Sequence, residues 1–232
     1  MERDIDEQST LSWVAQMMQD FYYKELKTDS DFFETDHFIY CVRAVYAKLI
    51  DADAKEARQL DKVESGYYTI SLSQDWLIEE EVEFKETDSN SGVYVGNLKH
   101  TPYAFAYDRM TYSVQTVEPL NNCKPYTRIS ADQKFKLRHI AKTDMVFFYI
   151  VANRIHLINQ SACTPDKAVV MYAPSLSGNP DEVFVPLNKH FDIVTIGAKL
   201  LLEIVSNVII DKTNNQNPNK IIQSELDKNN IK

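Results

Sequence analysis

The chain has 232 residues, 44% of them hydrophobic and 25% charged, with a net charge of −9 and a pI near 5.1. That length sustains a hydrophobic core without disulfides or a structural metal, and the acidic balance excludes a large nucleic-acid footprint, which needs clustered Lys and Arg. Gly is scarce at 5 while Tyr reaches 13 and Phe 11, which favours strands and aromatic contacts over Gly-rich phosphate-cradling loops.

The first helix is expected from Ser9 or Thr10 to about Lys27, with Leu11, Val14, Ala15, Met18, Phe21, Tyr22 and Leu26 on one side. A Ser or Thr oxygen at its start can accept an orphan backbone N–H. After the break Thr28–Asp31, Asp36 can cap a second helix carrying the stripe Phe38, Val42, Val45 and Leu49 and closing near Ser65–Gly66. Cys41 falls within that stripe as a small buried hydrophobe.

From Tyr67 the texture becomes β-like. Strands are expected at Tyr67–Leu72, around Val82 and Phe84, at Val93–Leu98, Tyr103–Tyr107 and Met110–Val117, and where Phe135, Leu137 and His139 alternate with cations. A hairpin across Asn153 joins Met145–Ala152 to Arg154–Ile158, and Lys167–Tyr172 and Val183–Val185 complete the set. Asp88–Gly92 is a turn. Short strands with short polar connections and no obvious crossover helices point to an antiparallel sandwich or barrel.

A third helix begins after Pro186, with Phe191, Val194, Ala198, Leu201, Val205 and Val208 on one face and Ile193, Ile196, Gly197, Leu200 and Ile204 on the other. A helix apolar all round must be covered on several sides, and the N-terminal helices are the candidate covers. The expectation is an α+β fold in which residues 1–66 and 186–210 form a helical bundle, 67–185 form an inserted β-rich domain, and 211–232 form a polar tail. The tail is too polar to fold alone. Its Ile221, Ile222 and Leu226 form an apolar spot suited to a neighbouring subunit, with Ile222 and Leu226 on one side of a short helix.

No stretch announces chemistry. The histidines, His37, His100, His139, His156 and His190, do not pair at metal-ligand spacing, and Cys41, Cys123 and Cys163 offer neither a CxxC pair nor a disulfide framework. There is no HExxH, Walker loop, GxGxxG or GxSxG, and Cys163 near His156 has the residue types of a nucleophile and base without a supporting pattern. No catalytic residue, metal or cofactor is expected. The acidic opening MERDIDEQ and the absence of an uninterrupted apolar run of about eighteen residues lead to the expectation of a soluble protein made in a reducing compartment.

Two charged stretches stand out. Glu79, Glu81 and Glu83 would share one face of a strand, where they discourage edge-to-edge pairing. Arg128, Lys134, Lys136, Arg138, His139 and Lys142 form a basic stretch, read as a solvated strand face. As candidate subunit contacts, Glu79, Glu81 and Glu83 would face Arg128, Lys134, Lys136 and Arg138 of a neighbour.

The stretch from Phe184 through Pro186 to Val194, followed by Gly197-Ala198, resembles a segment of phage head–tail connector and tail-tube proteins, a proline leading into a helix with hydrophobic and Gly-Ala positions. The layout is similar too: N-terminal helices, β-rich insertion, returning helix, polar tail. It resembles the adaptor rings beneath the portal of short-tailed phages, and the Asn, Lys, Tyr and Ile texture resembles virion proteins of crAss-like phages. The resemblance implies a virion protein made in the host cytoplasm, in a homo-oligomeric ring of about twelve copies at the portal vertex or tail. It implies contacts with portal protein and other tail or ring proteins, passage of double-stranded DNA without sequence-specific binding, no catalysis and no membrane insertion. A net acidic lumen agrees with DNA sliding, because retention comes from neutralising phosphates. A β-rich tail or baseplate module recognising a carbohydrate or protein partner is the alternative, its many Tyr residues serving as a sugar platform; an enzyme with scattered site residues is a third reading.

Overall fold

The computed structural model describes residues 10–26, 33–61, 72–87, 91–105, 112–120, 126–129, 145–159 and 165–213, with side chains at 25–26, 58–61 and 206–213 left aside. Among the described residues, three helices span Leu11–Leu26 (α1), Thr35–Asp61 (α2) and His190–Thr213 (α3). Eight strands are described between α2 and α3, in chain order: Ile78–Glu83 (β1), Lys85–Glu86 (β2), Val93–Asn97 (β3), Val114–Pro119 (β4), Thr127–Arg128 (β5), Val146–Val151 (β6), Arg154–Asn159 (β7) and Lys167–Tyr172 (β8). The fold is α+β.

The helices pack mutually as a bundle. Trp13 lies beside His190, its ring tilted against the imidazole, and Met18 lies against Gly197, so α1 and α3 run parallel. Tyr22 meets Phe38 edge-on, and Cys41 reaches the Gly197 carbonyl at 3.6 Å, so α2 runs opposite to both. Gly197 is what lets the three helices meet, because a Cβ there would collide with the Met18 methyl and stand 3.3 Å from the Cys41 sulfur.

Closure of the two chain ends follows from the needs of a helix start. The first N–H groups of α1 have no intrahelical acceptor. The Leu11 N–H donates to the Val183 carbonyl at 2.9 Å, the Ser12 N–H to the Pro180 carbonyl at 3.1 Å, and the Trp13 N–H to Thr10 Oγ1 at 3.3 Å. The segment feeding α3 therefore caps α1. Arg43 fixes the same segment to α2 by donating to the Leu176 and Gly178 carbonyls, and the Tyr46 hydroxyl donates to the Pro174 carbonyl at 2.7 Å.

The strands form two sheets: an antiparallel β1-β8-β4 and a five-stranded β2-β3-β7-β6-β5, in which β5 runs parallel to β6. No barrel closes among the described residues. Val82 and Phe84 press onto Gly96 of β3, where a Cβ would stand 2.5 Å from Val82 and 2.7 Å from Phe84, so this glycine sets how closely the sheets approach. Two cores result. The β core gathers Val82, Phe84, Val117, Phe148, Ile155, Leu157, Val170 and Tyr172. The bundle core adds Leu72, Trp76, Phe105, Leu176 and Val185 to the helical residues, so it extends into the strand-rich region.

Several expectations are corrected. Tyr103–Phe105 is no strand; Ala104 makes a lone bridge to Tyr112, and Pro102 one to Pro174. Val183–Val185 likewise makes a single bridge, Phe184 to Thr10, because it serves as the cap of α1. Of the strand expected over Met110–Val117, the described strand begins at Val114, Tyr112 makes only a lone bridge, and residues 110–111 lie outside the described residues. Phe191 and Ile204, assigned to covered faces of α3, are 74% and 52% exposed. The expected hairpin across Asn153 is present, with Ala152 at φ +55°. The strands expected at 67–71 and 135–139, Cys123, Cys163 and the segment 214–232 lie outside the described residues.

Candidate assembly surfaces

β1 alternates as its sequence dictates: Glu79, Glu81 and Glu83 are exposed on one face, while Glu80 and Val82 turn to the other. On the paired strand, Lys167 Nζ lies 2.9 Å from Glu81 and 3.1 Å from Glu83. These contacts hold the Lys167 ammonium above its usual pKa. One ammonium neutralises at most one of three carboxylates, so the face stays acidic. Glu80 is built differently. It accepts the Tyr172 hydroxyl at 2.6 Å and the Lys99 N–H at 2.8 Å. Burial first, then the Glu80 contact, pushes the Tyr172 phenol far up, and burial lowers His100 nearby. This cluster locks β1 to β8 and to the turn after β3.

Arg128 does not meet the acidic strand in this chain. Its guanidinium donates to the Val114 carbonyl at 3.0 Å and the Tyr112 carbonyl at 3.1 Å, tying β5 to the start of β4. Lys134, Lys136, Arg138, Ile221, Ile222 and Leu226 lie outside the described residues. Of the ten candidate contact residues, Glu79, Glu81 and Glu83 are thus brought together, and Arg128 has a structural task.

A feature that the sequence did not flag sits beside the bundle. A groove of about 200 Å³ opens between α2, the 3-10 turn Gln74–Trp76 and the start of α3. Leu49, Ala52 and Trp76 supply its apolar lining, and Asp53, Glu56 and Asp192 its carboxylates. Lys189 crosses it, with Nζ 4.8 Å from the centre of the Trp76 ring and 3.5 Å from Asp75. Asp53 accepts the Ser73 N–H at 3.0 Å, and Asn188 donates to Asp75 at 3.2 Å, so the walls are fixed. The buried Trp76 indole N–H has no acceptor among the described residues. Residues 53, 76 and 189 come from three separate parts of the chain, and no local pattern joins them.

Among the described residues, several of the largest aromatic side chains lie inside. Tyr22, Tyr46, Tyr172, Phe38, Phe105 and Phe148 are fully buried, and burial drives the Tyr46 phenol well above its usual pKa and Tyr126 up to about 12. The largest exposed apolar side chains of the helical part are Tyr40 and Phe191, each 74% exposed, with Leu187 beside Phe191 in the sequence. Among the described residues no group of three or more His, Cys, Asp and Glu could hold a metal ion, and no helix is long and apolar enough to cross a membrane. No protein-family model and no curated protein matches the chain.

Proposed function

We propose that this chain is a structural virion protein, a ring subunit of the phage portal–tail connector that joins the capsid portal to the tail and surrounds a channel for DNA. The observation that carries the reading is the layout. Helices from opposite ends of the chain close one bundle around a β-rich insertion, the order of elements that the connector resemblance implies. The side chains left over fit association: Tyr40, Leu187 and Phe191 expose apolar area on the bundle, and β1 presents an acidic face. A net charge of −9 weighs against tight retention of passing DNA.

Mass measurement of the purified full-length chain, with and without double-stranded DNA, tests this reading. The expected result is a closed ring of about twelve copies that does not retain DNA at physiological salt. A monomer at every concentration, or tight DNA retention, would overturn it.

A further inference from the structure

The outer face of the β1-β8-β4 sheet combines carboxylates with an apolar stripe. The strand registers place Glu81, Val169 and Glu118 side by side, with Glu79, Met171 and Thr116 in the next row. On the other side of the first row, the Leu120 N–H donates to the Lys167 carbonyl, which sets Leu120 beside Lys167 and Glu83. Val169 and Met171 alternate with the buried Ala168, Val170 and Tyr172, so they point away from the β core, and they join neither of the two cores. Leu120 is 54% exposed. Met171, Val169 and Leu120 thus follow one another across the face. The exposed carboxylates of Glu79, Glu81 and Glu83 line one side and that of Glu118 the other, and Lys167 offsets one of the four charges.

The spacing suits a helix. Alternate residues of a strand stand about 6.8 Å apart, close to the rise of about 6 Å between residues i and i+4 of an α-helix. Glu81 and Glu118 are two strand spacings apart, about 10 Å, which is the width of a helix. A helix satisfies its own backbone N–H and C=O groups above an apolar stripe, whereas an extended segment laid on a sheet face does not. The chain's own described helices are not basic on their exposed sides: α1 shows Asp20 with Lys24, and α3 shows Asp192 and Glu203 with Lys199. The complementary helix therefore belongs to a different protein.

We propose that this face docks a basic amphipathic helix of another protein. An apolar ridge at i, i+4 and i+7 would lie over Met171, Val169 and Leu120, and Lys or Arg on its two flanks would meet Glu79, Glu81 and Glu118. This contact goes beyond the ring reading and does not depend on it.

The probe is a synthetic Leu–Lys helical peptide of about five turns, with its leucines on one ridge and a photo-crosslinking leucine at the centre of that ridge. The control has the same composition with its leucines dispersed around the helix. With the full-length chain at physiological salt, crosslinks should map to residues 116–120 and 167–171, and the control should bind about tenfold more weakly. Glu81→Gln with Glu118→Gln should weaken the probe about tenfold. Glu79→Lys, Glu81→Lys and Glu118→Lys together should transfer binding to a peptide with Glu in place of Lys. Equal binding of probe and control would reduce the contact to bulk charge and overturn the proposal. Crosslinks to another surface, or affinity indifferent to the carboxylate substitutions, would overturn it as well. Loss of the crosslinks on assembly, with Lys134, Lys136 and Arg138 of a neighbouring copy closing the face, would overturn this docking and leave the ring reading standing. A chain that stays monomeric and binds the probe as described would remove the ring reading and leave the docking standing.

Discussion

At the scale of single residues, the bundle core holds polar groups whose accounts differ. Tyr22 is fully buried, meets Tyr23, Phe33 and Phe38 edge-on, and carries a hydroxyl without a partner. An unsatisfied buried hydroxyl costs about 1–3 kcal/mol, while the ring contacts survive its removal. Tyr22→Phe should therefore leave the unfolding free energy unchanged or raise it by up to about 1 kcal/mol; a clear loss in denaturant titration would mean that the hydroxyl has work to do. His190 is a different case. It sits 7% exposed at the first position of α3, 2.9 Å from the Val185 carbonyl and beside the Trp13 ring. Burial lowers its pKa, the Val185 contact opposes this weakly, and the positive end of the helix dipole disfavours a cation there. His100 is lowered by burial as well. With folded values below the unfolded value near 6.5, the unfolded chain takes up protons first as pH falls. Their contribution is whole above about pH 6.5 and is lost as pH drops through the folded values. Melting temperature should thus fall from pH 7.5 to pH 5, and His190→Gln should flatten part of that slope. A variant slope equal to the parent's would place His190 outside the effect.

At the scale of elements, α3 is the member that the other two need. Leu201 is 6% exposed in the bundle core, and Leu201→Asp would strand a charge there at a cost of about 3 kcal/mol or more. A variant that melts like the parent would remove Leu201 from the core. Gly197→Ala should cost about 1–3 kcal/mol through the Met18 collision, against a helix-propensity gain of about 1 kcal/mol, and Met18→Ala in the same chain should recover most of the strain. Non-zero coupling in that double-mutant cycle is the expected readout, and additivity would contradict it. The helices were legible because three- and four-residue spacing reports a buried stripe directly: Leu11, Val14, Ala15, Met18 and Tyr22 of α1 are all buried. β8 and the hairpin of β6 and β7 were legible by alternation and turn position. Tyr103–Phe105 and Val183–Val185 have strand composition, yet their backbone groups serve long-range bridges and the cap of α1, which local propensity cannot see. Phe191 belongs to the apolar pattern of α3 but lies at the edge of its buried stripe: His190, Ile193 and Val194 in the same turn are covered, while Phe191 is 74% exposed. The acidic face of β1 was legible from alternation alone. The Trp76 groove was not, since it depends on tertiary packing of residues from three regions.

At the scale of the whole molecule, the charge distribution bears on assembly. The face bearing Glu79, Glu81 and Glu83 keeps excess negative charge after Lys167 is counted, and on the proposed ring reading the basic stretch through Lys134, Lys136 and Arg138 would be its complement in a neighbouring copy. Reversing those three cations should weaken ring formation at low salt, and added salt should weaken the parent more than the variant, because exposed charges are screened within about 10 Å at 0.1 M. Equal assembly of both at low salt would take this pairing out of the account. The central claim is the connector ring itself, and a single-particle image of the native virion tests it most directly. The account predicts a closed ring of this chain at the portal vertex, with the three-helix bundle at the contacts between copies and the channel passing through its centre. Density for the chain as an isolated module on a tail fibre or baseplate, or its absence from the particle, would contradict it.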